Sequence, residues 1–184
     1  MLPPRRSSLV RVALVVAASV AFVGGCSGDE ASNDADVMFA QGMIPHHAQA
    51  LEMAQMVDGR NASQEVTDLA AQIEAAQDPE IQLMTDWLED WGEDVPDLAM
   101  DHSTMDHSMT GMMTADQMAA LDDATGDEFD QMFLEMMIEH HEGAIAMSET
   151  ELSDGANDEA KELAQEIIDA QQAEIDLMRE LLAG

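Results

Sequence analysis

The sequence predicts an all-α protein, a four-helix bundle made of two tandem helical hairpins. The first supporting observation is composition: the 184 residues include four Phe, two Trp, no Tyr and 17 Met. Ala, Leu, Ile and Met must therefore build the core, and these residues favour helices over strands. The second observation is an internal duplication at a constant offset of 94 residues. Two similar hairpins that bury their apolar faces against each other would explain it.

The duplication covers both helices of each hairpin. Nine of nineteen positions are identical between residues 36–54 and 130–148, and ten of twenty between 65–84 and 159–178. The second set includes Leu69/Leu163, Ile73/Ile167, Gln77/Gln171 and Met84/Met178. Two copies are too few for a solenoid. The repeats, at 36–91 and 127–183, therefore predict one domain over residues 36–184.

The helices follow one another in a simple order. The first is predicted from about residue 36 to 57 and the second from a cap at Asn61 or Ser63 to about 91. Pro79 predicts a kink or a short break in the second helix. Residues 92–114 interrupt the helical pattern as a linker, and a short helix is predicted after Thr114. The third and fourth long helices are predicted at about 127–152 and 157–182.

The N-terminus predicts a bacterial lipoprotein. Arg5, Arg6 and Arg11 precede an apolar run at residues 12–23, which is too short to span a membrane and is typical of a signal peptide, here 1–25. Small residues then precede Cys26, the sole cysteine, as in a lipoprotein cleavage site. An ordinary signal peptide with an incidental cysteine is the alternative. We expect lipid attachment at Cys26, a flexible tether at 26–35, and a location on the cell membrane facing the periplasm or the exterior.

The charge of the chain limits its partners. The formal net charge is −33, and it becomes −36 without residues 1–25, which hold three of the six basic residues and no acidic ones. Such a chain excludes nucleic acid as a partner, and an anionic membrane surface would repel it. A lipid tether is then the expected membrane contact. Most of the acidic residues are expected to lie on solvated helix faces.

Two copies of a Met/His motif carry the candidate metal site. On a helix, each copy places two His and two Met within a sector of roughly 120°, the width of a core-facing stripe. Four inward histidines are costly to bury without partners, which favours metal binding over simple packing. The predicted ligands are Met43, His46, His47, Met53, Met137, His140, His141 and Met147. Asp36 and Asp130 are weaker candidates, which would otherwise be N-terminal helix caps.

The donor chemistry favours copper, especially Cu(I), because imidazole and thioether are borderline to soft ligands. Zinc is disfavoured, since it prefers thiolates, more imidazoles or a carboxylate. The Glu-x-x-His spacing of di-iron bundles is absent, because Met43 and Ile44 stand three residues before His46 and His47.

The linker adds a second group of soft donors, seven within fourteen residues. They are Met100, His102, Met105, His107, Met109, Met112 and Met113. These side chains either capture copper or belong to a flexible acidic loop whose methionines pack on the bundle.

The doubled motif resembles the family called domain of unknown function 305, whose pattern is a His-His pair between methionines, followed by Ala and an aliphatic residue. The resemblance covers about residues 36–182 and implies a ferritin-like four-helix bundle, exported, with copper-binding members linked to copper tolerance. Pro45 departs from the second copy, which has Glu139. Because proline removes a helix hydrogen bond beside His46, we expect the two halves to differ.

The function predicted from these features is extracytoplasmic binding of copper, to sequester it or to hand it to a protein partner. We expect a binding protein rather than an enzyme, in monomeric or homodimeric form. One alternative is a copper-dependent oxidoreductase, which would need an open coordination position and an electron route. The other is a structural or interaction lipoprotein whose histidines only pack.

Overall fold

The computed structural model describes residues 31–98 and 111–184, and these residues form five helices and no strand. The helices are α1 (Asp34–Gln55), α2 (Gln64–Trp91), α3 (Ala115–Asp123), α4 (Asp127–Asp154) and α5 (Asp158–Ala183). The predicted all-α fold is confirmed: four long helices form two hairpins, and α3 is the predicted short helix.

Some predictions fall outside the described residues. They are the signal peptide, the lipid site Cys26, residues 26–30 of the tether, and the linker candidates Met100, His102, Met105, His107 and Met109. All of these stay predictions.

Polar side chains begin the helices where the sequence indicates. Asn33 forms a capping box with Asp36 at the start of α1, and Ser63 accepts a hydrogen bond from the amide of Val66 in α2. Of the two caps considered for α2, Ser63 is thus the cap, while Asn61 takes a left-handed φ of 56° in the preceding turn. Each cap satisfies an amide that the helix itself leaves without a partner.

Neither internal proline ends its helix. Pro45 lies inside α1 and Pro79 inside α2, and both helices continue through the proline. The short break considered at Pro79 does not occur. Each proline removes one helix hydrogen bond, and the buried apolar residues on both sides of it keep the helix in place.

The two hairpins are joined by equivalent contacts at their ends. The Asp36 carboxylate in α1 accepts hydrogen bonds from the amides of Ala156 (3.0 Å) and Asn157 (2.9 Å), before α5. At the equivalent position in α4, the Asp130 carboxylate accepts from the amide of Ser63 (3.0 Å), before α2. Asp36 and Asp130 therefore accept hydrogen bonds from amides at the helix N-termini of the opposite hairpin, and a role for them as metal ligands stays a prediction.

Within each hairpin α1 packs on α2 and α4 packs on α5, and the hairpins meet along α1 and α4. The core contains two apolar clusters. The first apolar cluster includes Ala50, Met53, Ile73, Phe129, Phe133, Met137, Ile175 and Met178. The second apolar cluster includes Phe39, Met43, Ile44, Met84, Leu88, Ala144, Leu163 and Ile167. Among the described residues, no helix has the length and apolar character needed to cross a membrane.

Candidate metal centre

All four histidines of the duplicated motif lie in the core. His46 and His47 are in the middle of α1, His140 and His141 in the middle of α4, and all four side chains are fully buried. Along α1 the pair lies between residues of the second cluster (39–44) and those of the first (50–57). Along α4 the order is reversed: residues 129–137 of the first cluster precede the histidine pair, and Ala144 of the second cluster follows it. The histidines therefore form a polar layer between the two apolar clusters.

The two hairpins contact each other through equivalent histidines. The ring centroids of His46 and His140 are 3.7 Å apart, with the ring planes tilted by 37°. These residues are related by the 94-residue offset. Equivalent residues that touch must lie beside the pseudo-twofold axis that relates the two repeats. The structure thus brings the two motifs together, as the duplication predicted.

The other two histidines each contact a carboxylate of their own hairpin. His47 Nε2 lies 2.6 Å from Glu80 Oε2, and His141 Nε2 lies 2.6 Å from Glu174 Oε2. The remaining ring nitrogen, Nδ1, is buried in both residues and has no hydrogen-bond partner. Such a nitrogen is an expensive group to bury, unless a ligand uses its lone pair.

The glutamates were missed by reasoning from the sequence, although a signal was present. Glu80 and Glu174 are identical at the 94-residue offset, one helical turn beyond the matched pair Gln77 and Gln171. A repeated carboxylate beside the apolar stripe of two helices indicates an inward role.

Burial keeps at least one imidazole neutral. The pKa of His140 lies well below its usual value of 6.5, because burial disfavours the charged ring and because His46, His141 and His47 lie nearby. A neutral imidazole retains the lone pair that a metal ion needs.

The thioethers of the predicted ligands divide into two groups. Met43 belongs to the second apolar cluster, and Met147 is half-buried against it. Met53 and Met137 belong to the first cluster and are fully buried. Each side of the histidine layer therefore has one pair of candidate thioethers, drawn from both repeats.

Two further buried methionines have the same distribution. Met84 lies in the second apolar cluster and Met178 in the first, and both are fully buried. They occupy equivalent positions in the two repeats, and the sequence alone assigned no role to them.

Two glutamines extend the polar layer. Gln77 and Gln171 lie one helical turn before Glu80 and Glu174 and are 2% and 4% exposed. Both amide atoms of Gln77 and the amide oxygen of Gln171 are buried without a hydrogen-bond partner. The layer therefore holds more polar atoms than the protein itself satisfies, which is typical of a site for water or a ligand.

The described end of the linker is fixed beside the histidines. The Gln49 amide donates to the Met113 carbonyl (2.9 Å) and accepts from the Met113 amide (2.7 Å). Met113 is buried in the first apolar cluster, whereas Met112 is half-buried. Met113 therefore packs in the core, and copper capture by the linker stays a prediction.

Groups of carboxylate, imidazole or thiolate side chains alone do not form a site in the described part of the chain. No cluster of three or more His, Cys, Asp and Glu residues in residues 31–98 and 111–184 is arranged to hold a metal ion. The donors available at the polar layer are imidazole nitrogens with thioether sulfurs on either side. This set fits a soft ion such as Cu(I).

The architecture matches solved structures with substantial sequence identity. A DUF305 protein from Streptomyces coelicolor, named as a secreted protein, is 31% identical, with a TM-score of 0.73 over 85% of this chain and 94% of that one. A DUF305 fragment from Deinococcus radiodurans is also 31% identical, with a TM-score of 0.73 over 83% and 97%.

A further match is the protein CopM in its Cu(II)-bound form. It is 32% identical, with a TM-score of 0.68 over 79% of this chain and 94% of that one. CopM has also been solved in a Cu(I)-bound form, with a TM-score of 0.65.

Among curated proteins, no relative of this chain was found. The model of the family described as domain of unknown function (DUF305) matches residues 36–182, which include both hairpins and the linker. This protein therefore belongs to the DUF305 family.

Proposed function

We propose that this protein binds copper outside the cytoplasm and either sequesters it or transfers it. The observation that carries the proposal is the repeated buried imidazole of His47 and His141, each with an Nδ1 atom that has no partner. Thioethers on both sides of the histidine layer supply the soft donors that Cu(I) prefers. The Cu(I)- and Cu(II)-bound forms of CopM, a structural neighbour, support the same function.

The donors available to copper differ in distance from the pseudo-twofold axis. His46 and His140 touch at the axis, while His47 and His141 lie in contact with α2 and α5. The thioethers would be Met43 and Met147 on one side of the layer, and Met53 and Met137 on the other. The residues therefore fit copper cargo held between the hairpins, with ligands from both repeats.

The location outside the cytoplasm rests on the N-terminal sequence. Three arginines, an apolar run and Cys26 are the features of an exported lipoprotein. The similarity to a DUF305 protein named as secreted supports export. We include lipid attachment at Cys26 in the proposal, since the acidic chain would otherwise be repelled by anionic membranes.

The direct test is titration of the purified protein with Cu(I) against a competing chelator. The variant H46A/H47A/H140A/H141A should lose the tight binding, because all four imidazoles of the layer are removed. H102A/H107A measures the contribution of the linker histidines separately. Unchanged Cu(I) affinity in the quadruple variant would disprove the proposed site.

A second, more conservative variant tests the thioethers with a smaller change to the core. Met43→Leu with Met137→Leu conserves volume, so the cores should stay packed while one soft donor is lost on each side of the layer. We expect Cu(I) affinity to fall about tenfold, roughly 1.4 kcal/mol. Thermal unfolding of the metal-free proteins checks that each variant is folded. Full affinity in this double variant would remove these two thioethers from the site.

A further inference from the structure

Two glutamates of the second and fifth helices meet the histidine layer in the same way. Each Glu Oε2 lies 2.6 Å from the Nε2 atom of a histidine 33 residues earlier. The histidines are fully buried, whereas the glutamate side chains keep 21% and 20% of their surface exposed. Both contacts occur between helices of a single hairpin, and the repeat produces them twice.

The chemistry of these contacts fixes where the imidazole proton lies. An ionised carboxylate can only accept a hydrogen bond, so Nε2 must carry the hydrogen. In a neutral ring the lone pair is then on Nδ1, which is the buried atom without a partner in both residues. Histidines that bind metals commonly donate their other ring N–H to a carboxylate, which sets both tautomer and orientation.

We propose that Glu80 and Glu174 are positioning residues that hold His47 and His141 in the Nε2–H tautomer, so that Nδ1 is the atom presented to the metal ion. This inference rests on the proposed copper-binding function and adds the ligating atom and the residues that select it. Neither glutamate contacts the metal ion in this arrangement; each acts through its histidine.

A purely structural role for the glutamates would give a different result. The two contacts also link α1 to α2 and α4 to α5, so their removal would weaken each hairpin regardless of metal. Glutamine separates the two roles. Its amide can still form a hydrogen bond of similar length, but it can donate as well as accept, so it no longer dictates the tautomer.

The first measurement uses metal-free protein and ¹⁵N NMR of the imidazole nitrogens. In the wild type, His47 and His141 should show a protonated Nε2 and a bare Nδ1. In E80Q/E174Q both residues should show mixed tautomers. An Nδ1–H tautomer or an imidazolium ring in the wild type would overturn the inference.

The second measurement is Cu(I) affinity of the same proteins. We expect E80Q/E174Q to bind roughly 10- to 100-fold more weakly, as is typical when the partner of a ligating histidine is changed. E89Q/E180Q is the matched control, since it makes the same charge change at exposed positions of α2 and α5, and it should bind like the wild type. Equal affinity of the two double variants would overturn the inference.

The two proposals fail in distinguishable ways. If wild-type protein binds no copper, the proposed function is wrong, whatever the tautomers are. If the wild type binds copper but E80Q/E174Q keeps both the wild-type tautomers and the wild-type affinity, only the positioning role is wrong. Thermal unfolding of E80Q/E174Q, compared with the control, reports the structural contribution separately.

Discussion

At the scale of single residues, the two halves of the bundle differ at a buried carboxyl. Glu151 of α4 is only 1% exposed, and its equivalent in the first repeat is Val57. Burial is the main reason why the pKa of Glu151 is raised to about 8, and the nearby Asp36 with its negative charge raises it further. The positive charge of Lys161 acts in the opposite direction. Glu151 is therefore protonated at neutral pH, beside a carboxylate that caps the opposite hairpin.

The raised pKa of Glu151 predicts a pH-dependent stability. An unfolded Glu151 ionises near its usual value of 4.5, while the folded one keeps its proton to about pH 8. The native state thus binds the extra proton between these values, so stability should fall there as pH rises, by about 1.4 kcal/mol per pH unit at most, and level off above pH 8.

Glu151→Gln removes this titration and should flatten the dependence, giving a higher Tm than wild type at pH 8. Thermal unfolding of metal-free protein from pH 5 to 9 measures the effect. Exposed Glu149→Gln on the same helix is the control. A wild-type slope in Glu151→Gln would contradict the assignment.

The pKa of Asp36 is lowered, so the stability that Asp36 contributes changes in a different pH range. Burial alone would raise it, but hydrogen bonds from the amides of Asn33, Asn157 and Ala156, with a contribution from Glu151, lower it below 3.8. The stability that Asp36 contributes is present above that pH and is lost only in stronger acid. It therefore does not obscure the comparison between pH 5 and 9.

At the scale of elements, the linker is asymmetric with respect to the two repeats. Gln49 binds the backbone of Met113, while the equivalent position in α4 is Gly143. Gly111 packs against the α4 turn that bears His140: a Cβ added there would lie 2.7 Å from the Glu139 carbonyl oxygen and 2.8 Å from Gly143 Cα. The small residue in the second repeat therefore leaves room for the linker, and the long one in the first repeat holds it.

Gly111→Ala should release this contact. The alanine meets backbone atoms and must also adopt a φ of +84°, so we expect destabilisation by about 2–3 kcal/mol. Urea unfolding gives the stability, and hydrogen exchange of the Met113 amide reports the contact with Gln49.

Gly59→Ala is the matched control, because its φ is +79° with nothing near the added Cβ. It should cost about 1 kcal/mol and leave the Met113 amide protected. Equal losses of stability in the two variants would show that the contact with α4 contributes nothing.

At the scale of the whole molecule, the duplication explains both the bundle and its site. A hairpin on its own would expose an apolar face interrupted by two histidines. Packing α1 against α4 buries both of these faces. Most of the acidic side chains in the described residues are exposed, and their negative charge raises the local concentration of cations. The proposed lipid anchor would hold this acidic body near a membrane that repels it.

The anchor makes a prediction for the full chain. Wild-type protein expressed in a bacterium that processes lipoproteins should incorporate labelled fatty acid and fractionate with membranes. Cys26→Ser should lose both and appear in the periplasm or the medium. Because Cys26 is not among the proposed copper ligands, the variant should bind Cu(I) like the wild type. Membrane association that survives Cys26→Ser would contradict a lipid anchor at this residue.

The sequence by itself determined the helices, their order and the inward face of the Met/His motif. These depend on local periodicity, on caps such as Ser63 and Thr114, and on a duplication that can be counted without coordinates. The tertiary structure decided which residues are in contact: His46 with His140, Glu80 with His47, and Gln49 with Met113. It also divided the thioethers between the two apolar clusters. Such contacts depend on how far each helix slides and rotates against its neighbour. That register is fixed by packing between residues distant in the chain, which the pattern within one helix does not contain.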